Sequence, residues 1–326
     1  MSRPRIYVTR RIPEPGLDLL RQAAEVDMNP GDAPLPRAEL LARVADCEGV
    51  LGLLTERIDA EFFDAAPRLR GYANYAVGFD NIDVPEATRR RIPVSNTPDV
   101  LTDATAECAW ALLFAVARRV VEGDGVMRSG AWSGWGPLQF LGAGVTGKTL
   151  GIVGAGRIGS AMALMSRGFR MPVVYTTGSG RPSEVLDREL GAELVSFDEL
   201  LRRSDFISVH APLNEGTRHL FDAEAFARMK PSAILVNTGR GPVIDEAALV
   251  DALRERRIAG AGLDVYEREP AMAPGLGKLD NAVVLPHVGS GTRESRTDMA
   301  TLAARNLLAM LDGKRPETCL NPELYA

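Results

Sequence analysis

Cysteine is scarce and scattered: Cys47, Cys108 and Cys319 are the only three in 326 residues, and no two form a CxxC pair. That spacing excludes a disulfide framework and a structural zinc site, and points to a reduced, cytoplasmic protein. Long apolar runs are also missing. No stretch approaches the roughly 18 uninterrupted apolar residues a membrane span needs, and the Arg10–Arg11 pair is followed by no apolar segment, so no secretory leader is expected. Charge of one sign is lacking as well: 38 Lys and Arg stand against 43 Asp and Glu, for a net charge of −5. Neither nucleic acid nor an anionic membrane is therefore an expected partner, and a small molecule is. Histidine occurs only at 210, 219 and 287, and no metal site is expected.

What remains is a chain long enough for two domains, 45% hydrophobic and suited to a globular fold. Short β-rich runs alternate with amphipathic segments over the first hundred residues: "RIYVT", "GLDLLRQAA", "RAELLARVA", "GVLGLL", "AEFFDAA" and "LRGYAN". This rhythm predicts βα units and a parallel sheet. "LTDATAECAWALLFAVARRVV" (101–121) has neither Gly nor Pro and is read as one long helix connecting the domains. Residues 128–144, rich in Gly and Trp, read as a loop. A second βα series starts at 147 and includes "KTLGIVGAGRIG", "PVVYT", "DFISVHAPL", "SAILVNTGRG", "AGAGLDVYE" and "NAVVLPHVG"; 292–312 reads as a C-terminal helix. Several of these strands are apolar on both faces, as expected where helices cover both sides of a parallel sheet. The predicted class is α/β.

"GIVGAGRIGS" places Gly154-x-Gly156-x-x-Gly159 between an apolar strand and a helical segment. Such glycines allow a tight turn, close backbone approach to a pyrophosphate and close helix–strand packing, with the helix N-terminus facing the anion. Arg157 and Ile158 lie within that turn. An acid about 20 residues further on would bind an NAD ribose and repel a 2′-phosphate. The chain has none there: Thr176, Thr177, Gly178, Ser179 and Arg181 occupy the position, and Glu184 is the first acid beyond. Hydroxyls and one guanidinium suit a phosphate, so NADP(H) is the expected cofactor, with NAD(H) as the alternative.

Carbonyl reduction by a nicotinamide needs a proton donor that titrates near neutrality, a charge to steady it and a cation to grip the substrate. His287 and His210 both follow apolar strands, where open α/β sheets place ligands; His219 reads as local structure. Glu269 follows "GAGLDVYE", with Asp264 and Glu267 as rivals for the supporting acid. Arg240, between Gly239 and Gly241 at another strand's end, offers a bidentate fork for a carboxylate.

Six stretches, "ANYAVGFDNIDV", "NTPDVLTDATAE", "GKTLGIVGAGRIG", "VNTGRGPVIDEAAL", "AGAGLDVYEREP" and "LPHVGS", resemble the D-isomer-specific 2-hydroxyacid dehydrogenases, and within them the glyoxylate/hydroxypyruvate reductases. The resemblance covers essentially the whole chain; Gly291, where the family more often has alanine, is a small departure. It implies that Arg240, Glu269 and His287 are the catalytic residues. It further implies a Rossmann domain (a doubly wound parallel sheet) over 99–287 and a flavodoxin-like substrate domain from both chain ends, 1–98 and 288–326, with the active site in the cleft between them. Thr105, the 156–159 turn, Pro212, Thr217, Thr238, Gly239, Asp264 and Gly289 match cofactor contacts. Leu53 or Leu54 would line the substrate pocket, and the backbone at Val77 and Gly78 would receive the substrate carboxylate. The subgroup's homodimers exchange a helix and loop that map to 101–142, which makes Trp135 and Trp132 candidates for closing a neighbouring site. The expected substrate is a small 2-keto or 2-hydroxy acid. Formate and phosphite dehydrogenases, and a dinucleotide-sensing corepressor, share the fold and stand as alternatives.

Overall fold

The computed structural model describes residues 3–326. Two compact units divide the chain: one runs to Leu101 and resumes over Gly291–Ala326, and the other is Thr102–Ser290.

The first unit holds five strands, β1 (Arg5–Val8), β2 (Glu25–Met28), β3 (Gly49–Gly52), β4 (Gly71–Asn74) and β5 (Val94–Ser95), paired in the order β2-β1-β3-β4-β5. Every pairing is parallel, and the order is that of flavodoxin-like sheets. β3 and β4 are buried at every position, because helices cover both faces. Two glycines admit the C-terminal helix, Arg293–Leu311: side chains at Gly49 and Gly71 would press on Leu307 and Met310. β2 goes unannounced in the sequence, since "EVDM" lies at the sheet edge with two of its four residues exposed and carries no apolar run.

The second unit holds β6 (Leu150–Val153), β7 (Val173–Thr176), β8 (Glu193–Leu194), β9 (Phe206–Val209), β10 (Ile234–Asn237), β11 (Gly260–Leu263) and β12 (Ala282–Val284). They pair in the order β12-β11-β10-β9-β6-β7-β8, all parallel. This is the doubly wound Rossmann arrangement, with its switch point between β6 and β9. Leu150, Ile152, Phe206, Ile234 and Val236 pack on one face with the helix Thr102–Ala117; Val153, Ile207, Val209 and Leu235 pack on the other with Phe221, Phe226 and Leu249. Each such side chain contributes roughly 1.5–3 kcal/mol relative to exposure.

The single helix expected over 101–121 is instead two. The first ends at Ala117, Arg119 adopts a left-handed conformation (φ 52°), and the second runs Val120–Ser129. The returning chain causes the break. The Ala143 amide donates to the Ala117 carbonyl (2.7 Å), occupying the acceptor that a continuing helix would use.

Candidate active site

The glycine turn closes β6 against the switch point. Gly154 has φ +95°, and a side chain there would meet the Ala211 amide at 2.8 Å; one on Gly159 would strike the Gly154 carbonyl. Nothing lies within 4 Å of a side chain built on Gly156, which leaves its backbone open to a ligand. Arg157 and Ile158 begin the helix Arg157–Met165, whose N-terminus favours an anion. A second feature suits a dinucleotide: the Thr238 hydroxyl, buried just past β10, has no hydrogen-bond partner among the described residues. These residues fit a dinucleotide cofactor.

Beyond β7, which ends at Thr176, the turn folds on itself: the Thr177 hydroxyl donates to the Arg181 carbonyl (2.9 Å), and the Arg181 amide donates to Ser179 Oγ (3.3 Å). Gly178, Ser179 and Arg181 are exposed. The next acid, Glu184, starts the helix Glu184–Leu190. Past β9, Thr217 Oγ1 donates to the exposed Pro212 carbonyl (2.6 Å) and so shapes that loop.

Three strand exits carry the charged groups. After β10, Asn237 fixes the turn, donating from Nδ2 to the Arg240 carbonyl (3.0 Å) and accepting from the Gly239 amide (3.0 Å). Gly241 lies against the Tyr266 carbonyl, where no side chain fits. The Tyr266 amide in turn donates to Glu269 Oε1 (3.1 Å), and Glu269 Oε2 lies 2.8 Å from His287 Nδ1. Burial pushes the Glu269 carboxyl up, but the hydrogen bond and charge of His287, the Tyr266 amide and the charge of Arg240 outweigh it and hold the group below the ordinary glutamate value. Both partners of the pair are partly exposed, as a site for chemistry requires.

The rival residues are engaged elsewhere. His210 lies 2.8 Å from Ser208 Oγ, and burial lowers its pKa to about 4. His219 pairs with Glu267 (3.0 Å). Asp264 is buried, which raises its pKa, and accepts from the Val288 and Gly289 amides (2.7 and 2.6 Å). It thereby anchors the turn that presents His287 in a left-handed conformation (φ 55°). A side chain on Gly289 would meet both Asp264 and Thr105, so these three residues lie together.

In the first unit, Leu53 and Leu54 are half-buried just past β3, and Val77 and Gly78 just past β4. Asn96 Nδ2 donates to the Val77 carbonyl (2.8 Å) and Asn74 Nδ2 to the Gly78 carbonyl (2.9 Å). The sequence reading missed these asparagines; the available signal was a polar residue closing the otherwise apolar run "GYAN". Trp132 and Trp135 are exposed on the 131–142 loop, Trp135 at 83%.

A glycine turn of this kind at the switch point of a doubly wound sheet defines a dinucleotide-binding protein, and comparison with known proteins narrows the class. Residues 110–289 match the model of the D-isomer specific 2-hydroxyacid dehydrogenase NAD binding domain. The glyoxylate reductase of Thermococcus kodakarensis is 52% identical over 326 residues, spanning 99% of this chain and 97% of that protein. A crystal structure from Thermus thermophilus is 45% identical with a TM-score of 0.91, covering 97% and 99% of the two chains. The NADPH-dependent glyoxylate/hydroxypyruvate reductase of Sinorhizobium meliloti, solved with NADP and malonate, is 33% identical with a TM-score of 0.86, covering 98% and 97%. The chain belongs to the D-isomer specific 2-hydroxyacid dehydrogenase family and is an NAD(P)-dependent oxidoreductase.

Proposed function

We propose that the protein reduces a small 2-keto acid, glyoxylate to glycolate or hydroxypyruvate to D-glycerate, using NADPH in preference to NADH. The 2.8 Å contact between His287 and Glu269 carries this reading: an imidazole steadied by a carboxylate is suited to protonating a forming alkoxide. Arg240 grips the substrate carboxylate; within the first unit, the Leu53–Leu54 turn and the backbone at Val77 and Gly78 are the groups read as facing a bound substrate. When bound, the nicotinamide supplies a hydride to C2. As the carbonyl π bond breaks, the protonated His287 ring gives its proton to the oxygen, and Glu269 stabilises the charge that the ring carries beforehand. Thr105, Pro212, Thr217, Thr238, Gly239, Asp264 and Gly289 complete the cofactor site, with Thr176, Thr177, Gly178, Ser179 and Arg181 around the ribose phosphate.

The relatives' names support the keto acid: the similar proteins from Thermococcus and Sinorhizobium are called glyoxylate and glyoxylate/hydroxypyruvate reductases. The protein works in the cytoplasm as a homodimer; the dimer reading is supported by Val121, Met127, Trp135, Leu138 and Leu141, apolar side chains exposed at 57%, 58%, 83%, 82% and 62%. No helix among the described residues is long and apolar enough to cross a membrane. The test is a steady-state panel of glyoxylate, hydroxypyruvate and pyruvate against NADPH and NADH. Turnover of the first two with NADPH is expected; no turnover of any pair would favour a nucleotide-sensing binder instead.

A further inference from the structure

Glu56 is a buried carboxylate, its side chain 4% exposed, in the turn that follows β3. Four donors converge on it. Oε2 accepts from the Leu53 amide (2.6 Å) and the Thr9 hydroxyl (3.0 Å), and Oε1 from the Thr55 hydroxyl (2.8 Å) and Arg10 Nη2 (3.0 Å). Arg10 also donates to the Thr55 hydroxyl. An amide in place of the acid would present an NH2 to some of these donors, so the site calls for a carboxylate.

The consequence falls on Leu53. Its amide is held by Glu56, while the carbonyl of the same trans peptide, that of Gly52, points the other way and accepts from the Tyr75 amide (2.8 Å). The Leu53 carbonyl accepts from Asn81 Nδ2 (3.2 Å), which also donates to the Glu56 carbonyl (3.0 Å). Asn81 is tied to Asn74 (3.3 Å), the residue that holds the Gly78 carbonyl. The Tyr72 hydroxyl lies directly under Gly52, leaving no room for a side chain there. The backbone leading into Leu53–Leu54 is thus fixed from three strand exits.

We propose that Glu56 is a positioning residue that locks the Leu53–Leu54 turn and, through Asn81 and Asn74, the Val77–Gly78 loop, so that the substrate pocket stays narrow and favours the smallest 2-keto acids. This rests on the reading above that these two loops face the substrate.

Steady-state kinetics with glyoxylate and the bulkier 2-ketobutyrate, on the full-length protein with NADPH, test it. Glu56→Ala and the milder Glu56→Gln are expected to raise KM for glyoxylate about tenfold with kcat changed less than about threefold, and to lower the glyoxylate/2-ketobutyrate ratio of kcat/KM about tenfold. KM for NADPH should not move. Thr9→Val, which removes one donor, should shift the ratio in the same direction by a smaller factor. A folded Glu56→Gln or Thr9→Val protein whose ratio matches wild type, whatever its Tm, would overturn the positioning role alone. A wild-type protein that reduces neither keto acid would overturn the functional reading and this proposal with it.

Discussion

The two sheets end in different chemistry although both are parallel and helix-covered. At the carboxyl ends of β10, β11 and β12 the chain displays ionisable side chains, Arg240, Glu269 and His287, the last two partly open to solvent. At the ends of β1, β3 and β4 it displays backbone, oriented from beneath by Asn74, Asn81, Asn96 and the buried Glu56. Under the proposed function, one sheet moves protons and holds charge, and the other holds a shape. A βα scaffold supplies both because strand exits are its common feature, and what is placed there is free to differ.

The largest effect expected from breaking this division is at His287. His287→Ala should lower kcat for glyoxylate reduction by at least about 10² at neutral pH; near-normal turnover would move the proton chemistry off this sheet. Next is His210, at the same edge but with a structural task. Its pKa falls from 6.5 to about 4, so between those values the unfolded chain binds a proton that the folded chain refuses, and stability drops as pH falls through that window. The full difference is worth roughly 3 kcal/mol, and the partial exposure of the residue as a whole reduces the expectation to about 2 kcal/mol. Urea unfolding from pH 6.5 to 4 should show wild type losing that much more than His210→Asn; parallel curves would contradict it. The smallest effect sharpens the cofactor side of the second unit. Arg181→Ala should lower the NADPH/NADH ratio of kcat/KM about tenfold, near 1.4 kcal/mol, and an unchanged ratio would leave the turn after β7 indifferent to the phosphate.

The same division decides what could be read in advance. Six strands of the second sheet were legible because they are largely apolar runs, and the turn glycines have distinct steric duties at 154 and 159; the edge strand β8, an exposed Glu193–Leu194 pair, carries no such run and was missed. Histidine is so scarce that position narrowed the proton donor to His287 and His210, but it could not choose between them, nor pick the supporting acid from Glu269, Asp264 and Glu267. Only the fold shows Glu267 engaged with His219 and Asp264 with two backbone amides. The asparagine and glutamate supports of the first unit were illegible for a related reason: the asparagines donate to main-chain carbonyls, and Glu56 gathers a main-chain amide with side chains from as far away as Thr9 and Arg10, and neither kind of partner leaves a mark in sequence spacing. The helix break at Arg119 was hidden as well, because an amide 26 positions from Ala117, at Ala143, causes it.

The central claim is that this chain directs a hydride onto C2 of a keto acid while His287 protonates the oxygen. Incubation of the protein with glyoxylate and NADPH carrying two deuterium atoms at C4 of the nicotinamide, followed by mass spectrometry of the product, tests it most directly. Glycolate bearing one deuterium on C2, formed by wild type and at least about a hundredfold more slowly by His287→Ala, is the predicted result. Unlabelled glycolate, or equal rates from the two proteins, would contradict it.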